Sequence, residues 1–213
     1  MKRYLCLILL VLYFFTFLIA KGNGLYADPK EKQGLIGKKE QRALIVFYSR
    51  TGNTKTVSET IRETLYCDIQ EIKDLKDRTG MRGYISGMID VRKNPITPVS
   101  PKVVNLKDYD LLFIGSPIWG MKFAPAITTF LNSADFEGKK VVLFATTSAR
   151  MRQTAFDEYS ELIHTKGGEV IDTFFIKTLW KDSSEIEEKA KNILAEKEGE
   201  WMQRLEKSEP ENS

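Results

Sequence analysis

The sequence ALIVFYSRTGNTKT, at residues 43–56, determines how the rest of the chain is interpreted. Its first part, residues 43–48, is rich in β-branched and aromatic side chains and does not alternate between apolar and polar positions. This pattern predicts a parallel strand covered on both faces, and hence an α/β sheet. Six residues follow that combine three hydroxyl groups, a glycine and a cation: Ser49, Arg50, Thr51, Gly52, Asn53 and Thr54.

A polar turn between a buried strand and a helix is a place where the chain can bind an anion. The first N–H groups of a helix have no intrahelical partner, and the helix N-terminus carries about half a positive charge. With hydroxyl donors nearby, the turn is predicted to bind a phosphomonoester. The alternative is that these residues only form a turn and a helix cap. A nucleotide P-loop is excluded because Lys55 follows Thr54 without the paired glycines of that motif.

The six residues resemble the phosphate loop of the flavodoxin family, in which a hydroxyl residue and any second residue precede T-G-N-T. In that family the loop binds the terminal phosphate of flavin mononucleotide (FMN), so the resemblance implies that residues 49–54 bind FMN here. With two later loops, the resemblance covers residues 42–206. It implies an α/β fold of the flavodoxin type, a doubly wound parallel sheet of five strands in the order 2-1-3-4-5 with helices on both faces.

A second candidate loop follows the strand predicted at residues 110–115. Its segment Pro117, Ile118, Trp119 and Gly120 lies beside the point where the strand order reverses, where open α/β sheets bind ligands. In the family this loop cradles the flavin ring. The resemblance therefore implies that Trp119 lies against the isoalloxazine and that Gly120 presents a peptide group to its redox-active nitrogen. The alternative for Trp119 is a place in the hydrophobic core.

A third loop, TTSARMR at residues 146–152, follows the strand predicted at residues 140–145. The resemblance implies that backbone donors of Thr147, Ser148 and Ala149 bind the pyrimidine edge of the flavin. The aromatic residue that many flavodoxins carry in this loop is missing. Arg150 is its candidate substitute, because a cation near that edge stabilises the anionic reduced flavin and raises its reduction potential. The alternative for Arg150 is a solvated surface charge.

Two helices are predicted with particular detail. Between residues 73 and 101, helical spacing predicts an apolar stripe that faces the core, with flavin contact or partner docking as the alternative. The stripe consists of Tyr84, Ile85, Met88 and Ile89.

A later helix is predicted to begin at a capping box in which Ser184 pairs with Glu187.

The chain is predicted to have four parts. Residues 1–21 begin with Lys2 and Arg3 and continue with an uncharged run of 17 residues, which is typical of a signal segment or membrane anchor. We predict an uncleaved anchor with the following domain outside the cytoplasm, and a cleaved, exported form is the alternative. Residues 22–41 are a polar linker, residues 42–206 are the FMN-binding domain, and residues 207–213 are a charged, disordered tail.

The charge balance limits the partners. The net charge is +3, but Lys2, Arg3 and Lys21 supply that excess, and 29 basic and 29 acidic residues remain from Asp28 onward. A neutral domain does not predict nucleic-acid binding. The flavodoxins that the chain resembles are usually strongly acidic, so their familiar partners do not transfer to it.

The function implied by the resemblance is electron transfer between a donor and an acceptor protein through bound FMN. This function needs no catalytic acid, base or nucleophile and no metal. The alternatives are an FMN-dependent reductase of quinones or an NAD(P)H oxidoreductase on the same fold, and a binding domain without flavin.

Overall fold

The structure is a computed structural model that describes residues 42–93, 96–149 and 152–206. The predicted anchor, linker and C-terminal tail lie outside these residues, as does Arg150. Within the described ranges, no helix has both the length and the apolar character needed to cross a membrane.

Strands and helices alternate along the chain, as the sequence predicts. The helices are α1 (Asn53–Leu65), α2 (Gly80–Lys93), α3 (Pro125–Ser133), α4 (Asp157–Thr165) and α5 (Ser183–Glu206), with a short 3-10 turn at Gln153–Ala155. The strands are β1 (Ala43–Phe47), β2 (Asp68–Glu71), β3 (Lys73–Asp74), β4 (Val99–Ser100), β5 (Leu111–Trp119), β6 (Lys122–Phe123), β7 (Lys140–Thr147) and β8 (Glu169–Lys177).

The central sheet has the predicted topology. Its main strands lie in the order β2-β1-β5-β7-β8, and every neighbouring pair among them is parallel. Counting only these five strands along the chain gives the order 2-1-3-4-5, so the predicted flavodoxin-like α/β fold is confirmed. Two short additions depart from this plan. Strand β6 pairs antiparallel with the end of β5, and β3 pairs with β4 in a separate two-stranded sheet.

Both faces of the sheet are covered, which explains why β1 is apolar without alternation. All five residues of β1 are buried. On one face the core includes Val57 and Ile61 of α1 and Leu194 of α5. On the other face it includes Ile127 of α3 and Ile163 of α4. Because these strands are parallel, their carboxyl ends lie at one edge of the sheet, where the loops after β1, β5 and β7 meet.

Gly115 of β5 leaves room for an aromatic stack that joins the sheet to α5. A Cβ atom at Gly115 would lie only 2.1 Å from Cζ of Phe144. The Phe144 ring stacks on Phe174, with centroids 5.6 Å apart, and Phe174 stacks on Trp201 of α5 at 6.2 Å. A methyl group at Gly115 would force this stack to shift.

The substitution Gly115→Ala is expected to lower the free energy of unfolding by about 3 kcal/mol, because overpacking a filled core costs roughly 1–3 kcal/mol and more where the neighbours are rigid. Gly199→Ala is the matched control. Gly199 lies within α5, and a Cβ there meets no atom within 4 Å. Alanine should therefore stabilise the helix by about 0.5–1 kcal/mol. Urea unfolding followed by circular dichroism measures both, and a neutral Gly115→Ala would contradict the packing argument.

The predicted inward stripe of α2 is wrong for three of its four residues. Tyr84, Ile85 and Ile89 are exposed, and only Met88 packs partly against the core. The buried face of α2 consists of Gly83, Gly87 and Val91. Glycine has no side chain to register in a hydrophobic pattern, yet its absence of a Cβ lets the helix approach the sheet closely.

The predicted capping box is also displaced by two residues. Helix α5 begins at Ser183, and Asp182 Oδ1 accepts a hydrogen bond from the Glu185 backbone N–H at 2.9 Å. In return, Glu185 Oε2 accepts one from the Asp182 N–H at 3.3 Å. Asp182 and Glu185 have the same spacing as the predicted pair Ser184 and Glu187, so the motif alone does not distinguish the two.

Candidate cofactor site

The loop after β1 has the backbone form that an anion site needs. Helix α1 begins at Asn53, and its N-cap residue, Gly52, adopts a left-handed conformation with φ of 94° and has no side chain with which to cap the helix. A Cβ at Gly52 would meet no atom within 4 Å, so the loop is open at this point. The first N–H groups of α1 therefore point toward a space that a ligand can enter.

Ser49 carries a buried hydroxyl group without a partner. Among the described residues no group makes a hydrogen bond to its Oγ, although less than 1 Å² of this atom is accessible to solvent. Buried polar atoms in folded proteins nearly always have a partner. A phosphate oxygen at this loop would supply one once the group that covers the hydroxyl moves aside, and with that movement the residues that are present fit the predicted phosphomonoester.

Thr54 lies within the loop, but its hydroxyl group faces the sheet. Its Oγ1 is 2.7 Å from Oγ1 of Thr146, at the end of β7, and both residues are buried. The hydroxyl therefore ties the start of α1 to β7, and only the backbone N–H of Thr54 remains for a ligand. This contact joins the first predicted loop to the third.

Arg50 joins the phosphate loop to the start of α2. Its Nε donates a hydrogen bond to the Arg78 carbonyl oxygen at 2.8 Å, and its Nη2 donates one to the Gly80 carbonyl oxygen at 2.9 Å. The guanidinium carbon lies 5.4 Å from the centroid of the Tyr84 ring. Two of the donors of Arg50 are thus used to hold the loop, while its positive charge remains uncompensated by a carboxylate among the described contacts.

The segment that receives Arg50 is held by a buried ion network. Arg78 Nε donates to Asp74 Oδ2 at 2.8 Å, and Arg78 Nη1 lies 2.9 Å from Asp90 Oδ2. The side chains of Arg78 and Asp74 are 5% and 1% exposed, so the pair is shielded from water. Lys76 reaches the same oxygen of Asp90 from the surface, at 3.1 Å. The sequence interpretation missed this network, because Asp74 ends a strand and Arg78 lies in the irregular segment before α2, where a spacing of four residues does not predict a contact.

The second predicted loop is a tight hairpin. Strand β5 extends to Trp119 and turns back into β6 through Gly120 and Met121, which have φ values of 55° and 73°. Two positive φ values in a two-residue connection are typical of the turns that join twisted antiparallel strands. The hairpin is fastened by Tyr159 of α4, whose hydroxyl accepts a hydrogen bond from the Phe123 N–H at 2.8 Å. Pro117 and Ile118 lie within β5.

Trp119 is covered by α2 and by Tyr48, the residue that follows β1. It is 5% exposed, and a Cβ at Gly87 of α2 would lie 2.6 Å from Cζ3 of its ring. Tyr48 meets the ring edge-on, with centroids 5.9 Å apart. Burial raises the pKa of Tyr48 to about 12, so its hydroxyl group stays neutral at physiological pH. Contact between Trp119 and a flavin stays a prediction, and with this packing it needs one face of the ring to be uncovered.

The third predicted loop is only partly described. Thr147 is buried, and its Oγ1 accepts a hydrogen bond from the Ala149 N–H at 3.1 Å. The backbone donor of Ala149 is therefore already engaged, and a flavin edge would have to replace this bond. Ser148 is exposed. The roles assigned to Thr147, Ser148 and Ala149 stay predictions, and that of Arg150 falls outside the described residues.

The protein family is identified by a sequence match that includes the three loops described above. A family model described as Flavodoxin matches residues 42–182, which is most of the chain. The chain therefore belongs to the flavodoxin family, and FMN is its cofactor, as the resemblance of the loops predicts. The sequence matches no curated protein at a significant level.

Solved structures agree with this fold. A candidate flavoprotein of Bacteroides uniformis is 23% identical, with a TM-score of 0.58 over 71% of this chain and 98% of that one. A candidate flavoprotein of Bacteroides eggerthii is 21% identical, with a TM-score of 0.56 over 68% and 92%. A flavoprotein of Lactobacillus acidophilus, solved in complex with FMN, is 22% identical, with a TM-score of 0.54 over 70% and 97%. At these sequence identities, the structural similarity establishes the fold alone.

Proposed function

We propose that this protein transfers electrons between two redox proteins through a bound FMN, and that its N-terminal segment attaches it to a membrane with the domain outside the cytoplasm. The observation that carries the flavin part is the buried, unpartnered Ser49 hydroxyl beside the uncapped start of α1. The complex of FMN with the Lactobacillus acidophilus flavoprotein, which has the same fold, supports it.

The phosphate loop would bind FMN mainly through its backbone. The open N-terminus of α1 supplies N–H donors, Gly52 permits close approach, and Ser49 supplies a hydroxyl group. The positive charge of Arg50 lies within the loop and favours an anion there without needing a direct bond. When bound, FMN supplies the one- or two-electron chemistry.

The rest of the proposal needs no reactive side chain. A carrier has to hold its flavin in place, shield one side of it from water and adjust its potential, all of which the three loops can do. The membrane part rests on sequence alone, since Lys2 and Arg3 precede an uncharged run of 17 residues. Reporter fusions after Lys30 test it, and a reporter active in the cytoplasm would contradict the proposed orientation.

The full-length protein, purified in detergent, is expected to show the visible absorbance of a flavin and to release FMN at about one per chain. After removal of the flavin, riboflavin should bind at least 100-fold more weakly than FMN. Riboflavin lacks the phosphate, and each charge-assisted hydrogen bond contributes roughly 1.5–3 kcal/mol. Fluorescence titration measures both affinities. Equal affinities, or a colourless protein that binds neither compound, would contradict the proposed phosphate site.

The same preparation separates the carrier from the alternative reductase. A carrier should exchange electrons slowly with NAD(P)H and quinones, whereas a reductase should turn over with these small molecules alone. Steady turnover with NAD(P)H and a quinone would replace the electron-carrier proposal with the reductase.

A further inference from the structure

Trp180 is a tryptophan on the surface at the same edge of the sheet as the FMN loops. It is 92% exposed and follows β8, whose carboxyl end lies next to that of β7. In the sheet register, Thr147 of the third loop pairs with Lys177, three residues before Trp180. Its position therefore places an aromatic side chain one strand beyond the loops assigned to the flavin.

The loop that carries Trp180 is fastened to the third flavin loop. The backbone N–H of Thr178 donates to the Thr147 carbonyl oxygen at 2.8 Å, and the Thr178 hydroxyl donates to the same oxygen at 3.3 Å. The Lys181 N–H closes the turn by donating to the Thr178 carbonyl oxygen. Trp180 is thus attached to Thr147 through a short, hydrogen-bonded turn and does not lie on an independent loop.

The backbone of Trp180 is unfavourable for its residue type. Its φ of 60° falls in the left-handed region, which glycine adopts readily and a bulky residue does not. An exposed tryptophan gains little from burial, so neither the backbone nor the packing of this fold explains it. A residue that is costly in the fold and does not stabilise it points to a function.

The other aromatic rings near this edge are already in use. Tyr48 and Trp119 are buried against each other. Tyr84 of α2 is half-exposed, and the guanidinium group of Arg50 lies over its ring. Among the described residues of this edge, Trp180 therefore offers the aromatic face that is most open to a flat ligand.

We propose that Trp180 contacts the isoalloxazine ring of bound FMN and shields it from solvent, acting as a positioning residue for the flavin. This inference rests on the proposed function. An indole stacked on a flavin gains the attraction of two aromatic planes and excludes water from one face of the ring. It also quenches the fluorescence of the flavin, which gives a readout that a purely structural residue would not change.

The test compares Trp180→Gly with Tyr66→Gly in the full-length protein. Tyr66 is the matched control because it is also an exposed aromatic residue with a positive φ, 54°. It lies at the opposite edge of the sheet, between α1 and β2. Trp180→Gly should raise the melting temperature by about 3 °C, because glycine removes the strain. It should nevertheless bind FMN about tenfold more weakly and leave the bound FMN more fluorescent.

Tyr66→Gly should leave the affinity and fluorescence of FMN unchanged, and Trp180→Phe should bind FMN nearly as well as the wild type. An unchanged affinity or an unchanged flavin fluorescence in Trp180→Gly would overturn the assignment of Trp180 while leaving the FMN site intact. A wild-type protein that fails to bind FMN would overturn the proposed function and this inference together. The opposite movement of stability and affinity in one variant distinguishes ligand contact from a structural role.

Discussion

Replacing Arg78 with methionine is expected to lower the free energy of unfolding by about 3–5 kcal/mol, which is the usual cost of removing one partner from a buried ion pair. Methionine keeps much of the length of the side chain but leaves the Asp74 carboxylate, whose side chain is 1% exposed, without its cation. The Thr97 hydroxyl and the Lys76 backbone N–H would still donate to Asp74, at 2.7 Å and 2.9 Å, but two neutral donors do not replace a guanidinium group.

Lys76→Met is the control for this prediction. Lys76 pairs with Asp90, as Arg78 does, but its side chain is 45% exposed, and removing such a surface pair costs about 0–1 kcal/mol. Urea unfolding of the two variants and the wild type provides the comparison. Equal losses in both variants would show that the buried network does not stabilise the fold as its geometry indicates.

The network also predicts how the difference in unfolding free energy between the wild type and Arg78→Met depends on pH. Burial alone would raise the pKa of Asp90, but hydrogen bonds from Lys76 and Arg78 outweigh this effect and hold the pKa below its ordinary value. A carboxyl group with a lowered pKa stabilises the fold above its unfolded value of about 4, and this contribution is lost as the pH falls through the folded-state pKa. The gap in unfolding free energy between the wild type and Arg78→Met should therefore narrow below pH 4.

The second large effect is expected at Gly52, where the substitution Gly52→Asp should weaken FMN binding at least 100-fold, or by about 2.7 kcal/mol. Aspartate adds a Cβ at a φ of 94° and places a carboxylate beside the predicted phosphate. A like charge a few ångströms from a phosphate opposes binding by several kcal/mol in a partly exposed site. Titration of the flavin-free protein with FMN measures the effect.

Gly138→Asp provides the matched control. Gly138 also has a positive φ, 67°, and open space around its Cβ position, but it precedes β7 at the other edge of the sheet. Both variants should lose similar unfolding free energy, while only Gly52→Asp should lose FMN. Comparable FMN affinity in the two variants would show that the phosphate of FMN does not bind at the loop after β1.

The sequence predicts the fold well where burial is continuous. The apolar runs of β1 and β7 mark strands close to those observed, because parallel strands covered on both faces need apolar residues at nearly every position. The end of β5 is harder to predict, since Pro117 is typical of a loop and the hairpin turn depends on a positive φ at Met121. Residue type alone does not indicate either feature.

The site is predictable in its backbone more than in its side chains. The position and the open N-terminus of the phosphate loop follow from its pattern of glycine and hydroxyl residues. The hydroxyl of Thr54 and the guanidinium group of Arg50 instead bind parts of the protein that are distant in sequence. The cover over Trp119 comes from Gly87, a residue that hydrophobic periodicity does not register. Local patterns therefore specify the loop, and long-range packing decides what its side chains do.

The link from Arg50 to the start of α2 ends on main-chain oxygen atoms. Every residue has a carbonyl oxygen, so the receiving segment can diverge in evolution without losing this acceptor, provided its backbone path is kept. Lysine in place of Arg50 would lose the fork of donors that spans two carbonyls. A protein engineer could exchange α2 for a different crossover, with a different surface for docking, and retain the phosphate loop by preserving one arginine and two correctly placed peptide groups.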